Sequence, residues 1–287
     1  MAISPKVVVV GSLHYDIFVE APHRPAAGET VPGYRWFPKF GGKGGNQAAA
    51  IVRAGSPCRM VSAVGADSFG TYLLERLTEL GVDATNVAVV NAGSGMSVAI
   101  ADTSGDYGAV IVSGSNLLID PSAMNDIPLW EGVGQLVLQN EVTEAINITA
   151  ARAARSRGAA VVLNAAPARA MSEELSSLVD VLVVNAGEAE ALSGISVDDL
   201  TAAEAAACEL ARHFPVVLVT AGGDGVAAAT GETSFSEPAL KVDLVSTHGA
   251  GDCFIGTFVA RRAEGADLHD AVSAANLAAA RHVSGKM

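Results

Sequence analysis

Short unbroken apolar runs, separated by segments of helical spacing, constrain this chain more than any other feature. Val7–Val10 is the first, ending at Gly11. A run of β-branched residues with no polar alternation suits a strand covered on both faces. Val61–Gly65, Gln135–Gln139, Ala160–Asn164, Val181–Val184 and Val216–Val219 read as further strands. Between them, helical spacing extends over Phe69–Leu80, Ala145–Arg157, Glu173–Leu178, Glu188–Leu192 and Thr201–His213, and an alanine-rich helix over Asp267–His282 closes the chain. Strands that alternate with helices need right-handed crossovers. The expected fold class is therefore α/β: a doubly wound, mainly parallel sheet flanked by helices.

One region breaks the rhythm. From Ala21 to Phe40, Pro22, Pro25, Pro32 and Pro38 are interleaved with Tyr34, Trp36, Phe37 and Phe40. Proline at this density excludes helix and confines strands to edges or bulges. Met96–Ala101 and Tyr107–Val112 flank Asp102–Asp106 and read as a hairpin. These pieces predict a small β-sheet apart from the main body, serving as a lid over a cleft, a dimer surface, or both. The expected division is an α/β domain from residues 1–11, 41–95 and 113–287, with a lid from 12–40 and 96–112.

The candidate chemistry lies in two glycine-rich turns. Gly41-Gly42-Lys43-Gly44-Gly45-Asn46-Gln47 opens a helix that Gly55 stops. Its glycines permit close backbone approach, and Lys43 and Asn46 offer donors for hydroxyl or phosphate oxygens. It has neither the P-loop spacing nor a dinucleotide fingerprint. The second turn, Ser246-Thr247-His248-Gly249-Ala250-Gly251-Asp252, runs into the apolar segment from Cys253 to Val259. Its bare amides and the helix N-terminus behind them suit a phosphate. A carboxylate at Asp252 would compete with that phosphate, so it is either a helix N-cap or a general base.

Polar residues past the strand ends extend this set. Ser12, His14 and Asp16 alternate after the first strand and share one side if the chain stays extended. Asn140, Glu141, Asn164, Asn185 with Glu188, and the Thr220–Gly225 turn follow later strands, at the edge where parallel sheets bind ligands. The formal charge of −13 argues against a nucleic-acid surface. A phosphorylated ligand would need amides, a few cations and a divalent metal. Cys58, Cys208 and Cys253 are scattered without zinc-ligand spacing and suggest reduced thiols. No apolar stretch suits a signal-peptide core or a membrane span, so a soluble cytoplasmic protein is expected.

Taken in order, GSLHYD, GETVPGYRWFPKFGGKGGNQAAA, AVGADSFG, NAAPA, NAGEAEALSG, VTAGGDG and THGAGDCFIG resemble the ribokinase, or pfkB, family of sugar kinases over nearly the whole chain. The resemblance implies transfer of the γ-phosphoryl of ATP, with Mg²⁺, to a hydroxymethyl group of a sugar or nucleoside. It makes Asp252 the base and the amides of Gly249, Ala250 and Gly251 the anion hole. Asp16, Gly42, Lys43, Asn46 and Glu141 match positions that hold sugar hydroxyls. Asn185 and Glu188 match an NxxE element near Mg²⁺ and the phosphates. Thr220, Gly222 and Gly225 would border the nucleotide, with Asn276 near the adenine. A homodimer formed through the lid is also implied, with no nucleic-acid or membrane partner.

Three departures qualify the likeness. His14 stands where ribokinases usually carry Asn and would reshape the sugar pocket. Ser246 replaces the Asp that usually opens the DTxGAGD form. The chain also stops at Met287, before a segment that supplies part of the monovalent-cation site and of the adenine pocket. The last two departures leave a requirement for a monovalent cation open, and a more open nucleotide site is expected. The alternatives are a nucleoside kinase, a phosphosugar kinase weakly favoured by Ser246, and a non-catalytic regulator on the same scaffold.

Overall fold

The structure is a computed structural model and describes residues 6–102 and 107–286. Most of the expected hairpin loop, residues 103–106, lies outside the described residues. In chain order the first elements are β1 (Val7–Val10), β2 (His14–Glu20), β3 (Arg35–Gly41), α1 (Lys43–Arg53), β4 (Cys58–Gly65) and α2 (Ser68–Glu79). β5 (Asp83–Val90), β6 (Met96–Ala101) and β7 (Tyr107–Val112) follow, then three short 3₁₀ turns. After β8 (Gln135–Gln139) come α3 (Glu144–Arg155), β9 (Ala160–Asn164), α4 (Glu173–Leu178), β10 (Val181–Asn185), α5 (Ala186–Ser193) and α6 (Leu200–Leu210). β11 (Val216–Thr220), β12 (Gly225–Thr230), β13 (Ser234–Pro238), α7 (Ala250–Ala263) and α8 (Leu268–Val283) complete the chain.

The large sheet has nine strands in the order β13-β12-β11-β10-β9-β8-β1-β4-β5. From β11 to β5 all neighbours are parallel, whereas β12 and β13 pair antiparallel at one end. β1 lies inside this sheet, which explains its apolar run. Val8 and Val10 join the core beneath α3–α6, and Val7 and Val9 join the core beneath α1, α2, α7 and α8. Strand order reverses between β1 and β8, and at such a point the loops past the carboxyl ends diverge and leave a crevice.

Three further strands were not expected from the sequence. β5 carries Asp83, Thr85 and Asn86, which its edge position tolerates. β12 reads Gly-Val-Ala-Ala-Ala-Thr, a composition with little strand preference, yet Val226–Ala229 are buried. Packing against the sheet overrides local propensity there. β13 pairs with β12 along its whole length at the other edge of the sheet.

The second sheet has the order β3-β2-β6-β7. β3 takes the edge position that Pro38 requires, since proline cannot donate to a ladder. Asp16, Ser97 and Ile111 stand opposite one another across β2, β6 and β7, and all three side chains line the cleft below. Elsewhere the sheet leaves Trp36, Val110 and Val112 exposed.

Helices α1 and α7 pack unusually closely. A Cβ on Gly256 would lie 2.4 Å from the Cβ of Ala50, so only glycine permits this approach. One turn nearer the cleft, the same two helices carry Asn46, Gln47 and Asp252.

Candidate active site

A cavity of about 1000 Å³ opens between the carboxyl ends of the parallel strands and the inner face of the small sheet. His14, Asp16, Gly42, Lys43, Asn46, Glu141, Asn185, Glu188, Thr220, Gly222 and the Gly249–Asp252 turn all line it. Two predicted residues do not. Gly225 begins β12 at φ 129°, and a Cβ there would meet the Glu237 carbonyl at 2.0 Å, so strand pairing accounts for it. Asn276 donates its side-chain N–H to the Pro238 carbonyl at 3.0 Å and ties α8 to the end of β13.

The N-cap of α7 is Gly249, in the left-handed region at φ 78°, and Asp252 lies three residues further on. The capping explanation of Asp252 is thereby excluded. Its carboxylate accepts from Asn46 Nδ2 at 3.1 Å and from Gln47 Nε2 at 2.9 Å. Burial raises its pKa, against the opposing pull of Lys43 and of these two amides, and Glu141 adds to the rise. The group is a buried carboxylate of increased basicity, held by α1 at the floor of the cleft.

The amides around it divide by role. Ala250 N–H donates to the Thr247 carbonyl at 3.2 Å and closes the turn. Gly249 and Gly251 donate to no backbone acceptor among the described residues. A Cβ on Gly251 would meet nothing within 4 Å, so open space lies beside its backbone. His282 Nε2 donates to the His248 carbonyl at 2.8 Å and anchors the turn from α8. Burial, reinforced by Lys39, His282 and Lys43, lowers the His248 pKa to about 4, which leaves its ring neutral at ordinary pH. Ser246 Oγ accepts from the His248 N–H at 3.3 Å, while Ser246 N–H donates to the Val283 carbonyl at 3.2 Å.

The first turn is built differently. Gly42 caps α1 at φ 84°, and a Cβ on Gly44 would lie 2.7 Å from the Ser12 nitrogen. The expected close approach is therefore made to the β1–β2 connection, and Gly45 N–H donates to the Ser12 carbonyl at 2.9 Å. Glu141 Oε2 accepts from Ser12 Oγ at 2.5 Å and from Lys43 N–H at 2.8 Å, with His14 Nδ1 4.0 Å away. Asp16 Oδ1 accepts from Ser97 Oγ at 2.5 Å. Burial raises the Asp16 pKa, while Ser97 and His14 oppose the rise. Asn116 holds Leu13 on both sides, accepting from its N–H and donating to its carbonyl at 2.9 Å each.

Asn185 and Glu188 form a reciprocal capping box at the start of α5. The Asn185 side chain accepts from Glu188 N–H, and Glu188 Oε2 accepts from Asn185 N–H. This orients Glu188 at the cleft wall. Among the described residues, no three His, Cys, Asp or Glu side chains converge as a metal cage would require. A magnesium ion needs only one or two carboxylates when substrate phosphates complete its shell, and Glu188 fits that demand.

Sequence reasoning assigned no role to Gln47, Ser97 or Asn116. Gln47 falls on the helix face of Lys43 and Ala50, a legible signal that its glycine-rich surroundings obscure. Ser97 and Asn116 become partners of Asp16 and Leu13 only through tertiary packing.

Comparison with known proteins agrees with this geometry. The profile of pfkB family carbohydrate kinases matches residues 4–286. The chain is 34% identical to a ribokinase of Bacillus subtilis over 278 residues, covering 96% of this chain and 92% of the relative. A deoxyribokinase of Salmonella typhi is 31% identical over 287 residues, covering 98% and 93%. The structure of Arabidopsis thaliana ribokinase complexed with ribose and ATP superimposes with a TM-score of 0.89 at 28% identity, covering 98% of this chain and 93% of that one. With nearly the whole sequence matched and both glycine-rich turns meeting at one cavity, this chain belongs to the pfkB family of carbohydrate kinases.

Proposed function

We propose that the cleft binds an uncharged pentose of the ribose or 2-deoxyribose type, and that Asp252 takes the proton of its primary hydroxyl during phosphoryl transfer. The chain is an ATP-dependent sugar kinase by family, and the proposal concerns its substrate and the roles of its residues. One observation carries it: the 3.1 Å contact between Asn46 and Asp252, which joins the turn proposed to hold the sugar to the turn proposed to receive the phosphoryl group.

Phosphoryl transfer is mainly a matter of positioning and charge neutralisation. The sugar lies against Asp16, Lys43, Asn46, Glu141 and His14, with its hydroxymethyl group toward Asp252. The Gly249 and Gly251 amides face the transferring group, where each donor is worth about 2.7–4 kcal/mol in comparable sites. Asn185, Thr220 and Gly222 border the nucleotide. Glu188 would hold Mg²⁺ together with phosphate oxygens, and the metal supplies charge neutralisation there.

An uncharged acceptor follows from charge. Asp16, Glu141 and Asp252 crowd the sugar end of the cleft, where Lys43 is the lining cation. A second phosphate on the acceptor would face these carboxylates, which weighs against a phosphosugar despite Ser246.

The small sheet of β2, β3, β6 and β7 serves as the lid, and its exposed Trp36, Val110 and Val112 favour a homodimer formed through it. No helix among the described residues is long and apolar enough to cross a membrane. The buried thiols of Cys58 and Cys253 suit a reducing cytoplasm.

Coupled ADP-release assays with ribose, 2-deoxyribose, hexoses, nucleosides and sugar phosphates test the proposal. Turnover of a free pentose above the others is expected. Preference for a nucleoside or a phosphosugar would overturn the substrate assignment, and binding without turnover of any acceptor would overturn the catalytic one.

A further inference from the structure

We infer that Gln47 is the positioning residue for the catalytic carboxylate: it fixes the rotation of Asp252 and presents Oδ2 to the sugar. The inference rests on the reading of Asp252 as the base. Gln47 is fully buried and, unlike its neighbour Asn46, does not line the cleft. Its Nε2 donates to Asp252 Oδ1 at 2.9 Å, and its Oε1 is buried without a hydrogen-bond partner. A buried amide with one half unsatisfied carries a desolvation cost, so the donor half must be making a bond worth keeping.

The two amides from α1 divide the carboxylate between them. Asn46 reaches Oδ2 at 3.1 Å from within the cleft and can yield to a sugar hydroxyl. Gln47 holds Oδ1 from behind, where neither sugar nor water competes. A carboxylate tethered through one oxygen keeps the lone pairs of the other aimed at the acceptor hydroxyl, whose proton it receives. Charge-assisted bonds of this kind are about twice as strong as neutral ones.

The same bond opposes the effect of burial on Asp252. Lys43 on α1 also favours the ionised form, while Glu141 from the loop after β8 disfavours it. His248 from the preceding turn, Lys39 on β3, Arg53 on α1, Arg76 on α2 and His282 on α8 surround a second cavity that Asp252 also borders. These charges remain when Gln47 is replaced, so a change in the pH profile isolates the lost donor.

The test compares kcat–pH profiles of the full chain with Gln47→Met, which conserves volume without a donor, and Gln47→Glu, which adds a second carboxylate. The methionine variant should lose kcat on the order of 10- to 100-fold at neutral pH. Its acid limb should rise by roughly one pH unit, and KM for the sugar should stay within about threefold of the parent. The glutamate variant should move the limb further in the same direction. Should the methionine variant fold poorly, Gln47→Asn, which keeps the amide but withdraws it by one methylene, takes its place with the same rise of the acid limb expected. Unchanged acid limbs, or a loss confined to KM, would overturn the inference. Asp252→Asn runs alongside: if it retains turnover, the base assignment has failed, whereas loss of turnover there with unshifted Gln47 profiles refutes only the positioning role.

Discussion

The two glycine-rich turns look alike in composition and do opposite work. Gly42 and Gly44 are filled from outside, because the β1–β2 backbone occupies the space a side chain would need. Gly251 has nothing within 4 Å of that space. The first turn is a wedge that locks α1 against the start of the small sheet, and the second leaves its backbone bare, a cradle in the proposed mechanism. Glycine therefore stands in two distinct settings here: close packing of backbone on backbone, and open space beside the backbone, which the proposed mechanism gives to a reactant.

This contrast can be broken most sharply at the residue that joins the turns. Asp252→Asn should lower kcat on the order of 10²- to 10⁴-fold with little change in ATP affinity, measured by steady-state kinetics. Near-normal turnover would remove Asp252 from the chemistry. Gly251→Ala should lower kcat about 10²-fold, because the methyl occupies the cradle. Its melting temperature should hold or rise, since alanine favours a helix by about 1 kcal/mol over glycine. A destabilised Gly251→Ala protein would mean that the cradle is packed after all.

Gly44→Ala should behave in the reverse manner. Its methyl meets the Ser12 backbone, and overpacking of this kind costs about 1–3 kcal/mol, so calorimetry should report a lower melting temperature. A variant with parental stability would dissolve the distinction between the turns.

The smallest effect concerns pH. Burial raises the folded-state pKa of Asp252 above its unfolded value. Its contribution to stability is therefore fully present below the ordinary aspartate pKa and lost as pH rises through the raised folded value. Asp252→Asn should melt above the parent at pH 8, by about 2–4 °C for each kcal/mol relieved, and match it at acid pH. Kinetics should show the mirror image, with parental activity falling as pH drops through that raised value. A mutant no more stable at pH 8 than the parent would place the cost of burial elsewhere.

The legibility of the fold followed burial. β1, β8, β9, β10 and β11 lie inside the sheet and announce themselves as apolar runs, whereas edge strand β5 and alanine-rich β12 owe their form to neighbours. The site was readable where a backbone requirement leaves a trace in residue type, as in the two turns and the Asn185–Glu188 pair. It was not readable where side chains meet only across the fold. Ser97 reaches Asp16 from another strand, and Gln47 reaches Asp252 across 205 positions of chain. Gly225 and Asn276 match the motif, and the structure gives each a contact at the β12–β13 hairpin.

The contact between Gly256 and Ala50 has a consequence for anyone adapting this enzyme. A glycine in mid-helix invites replacement by alanine, a routine route to greater heat tolerance. Here the added methyl would meet Ala50 and the α1 backbone, so the usual gain in robustness would turn into a loss, and Asp252 would be pushed away from Asn46 and Gln47. The missing side chain of α7 at that point is what lets an acid borne on one helix be reached by amides from another.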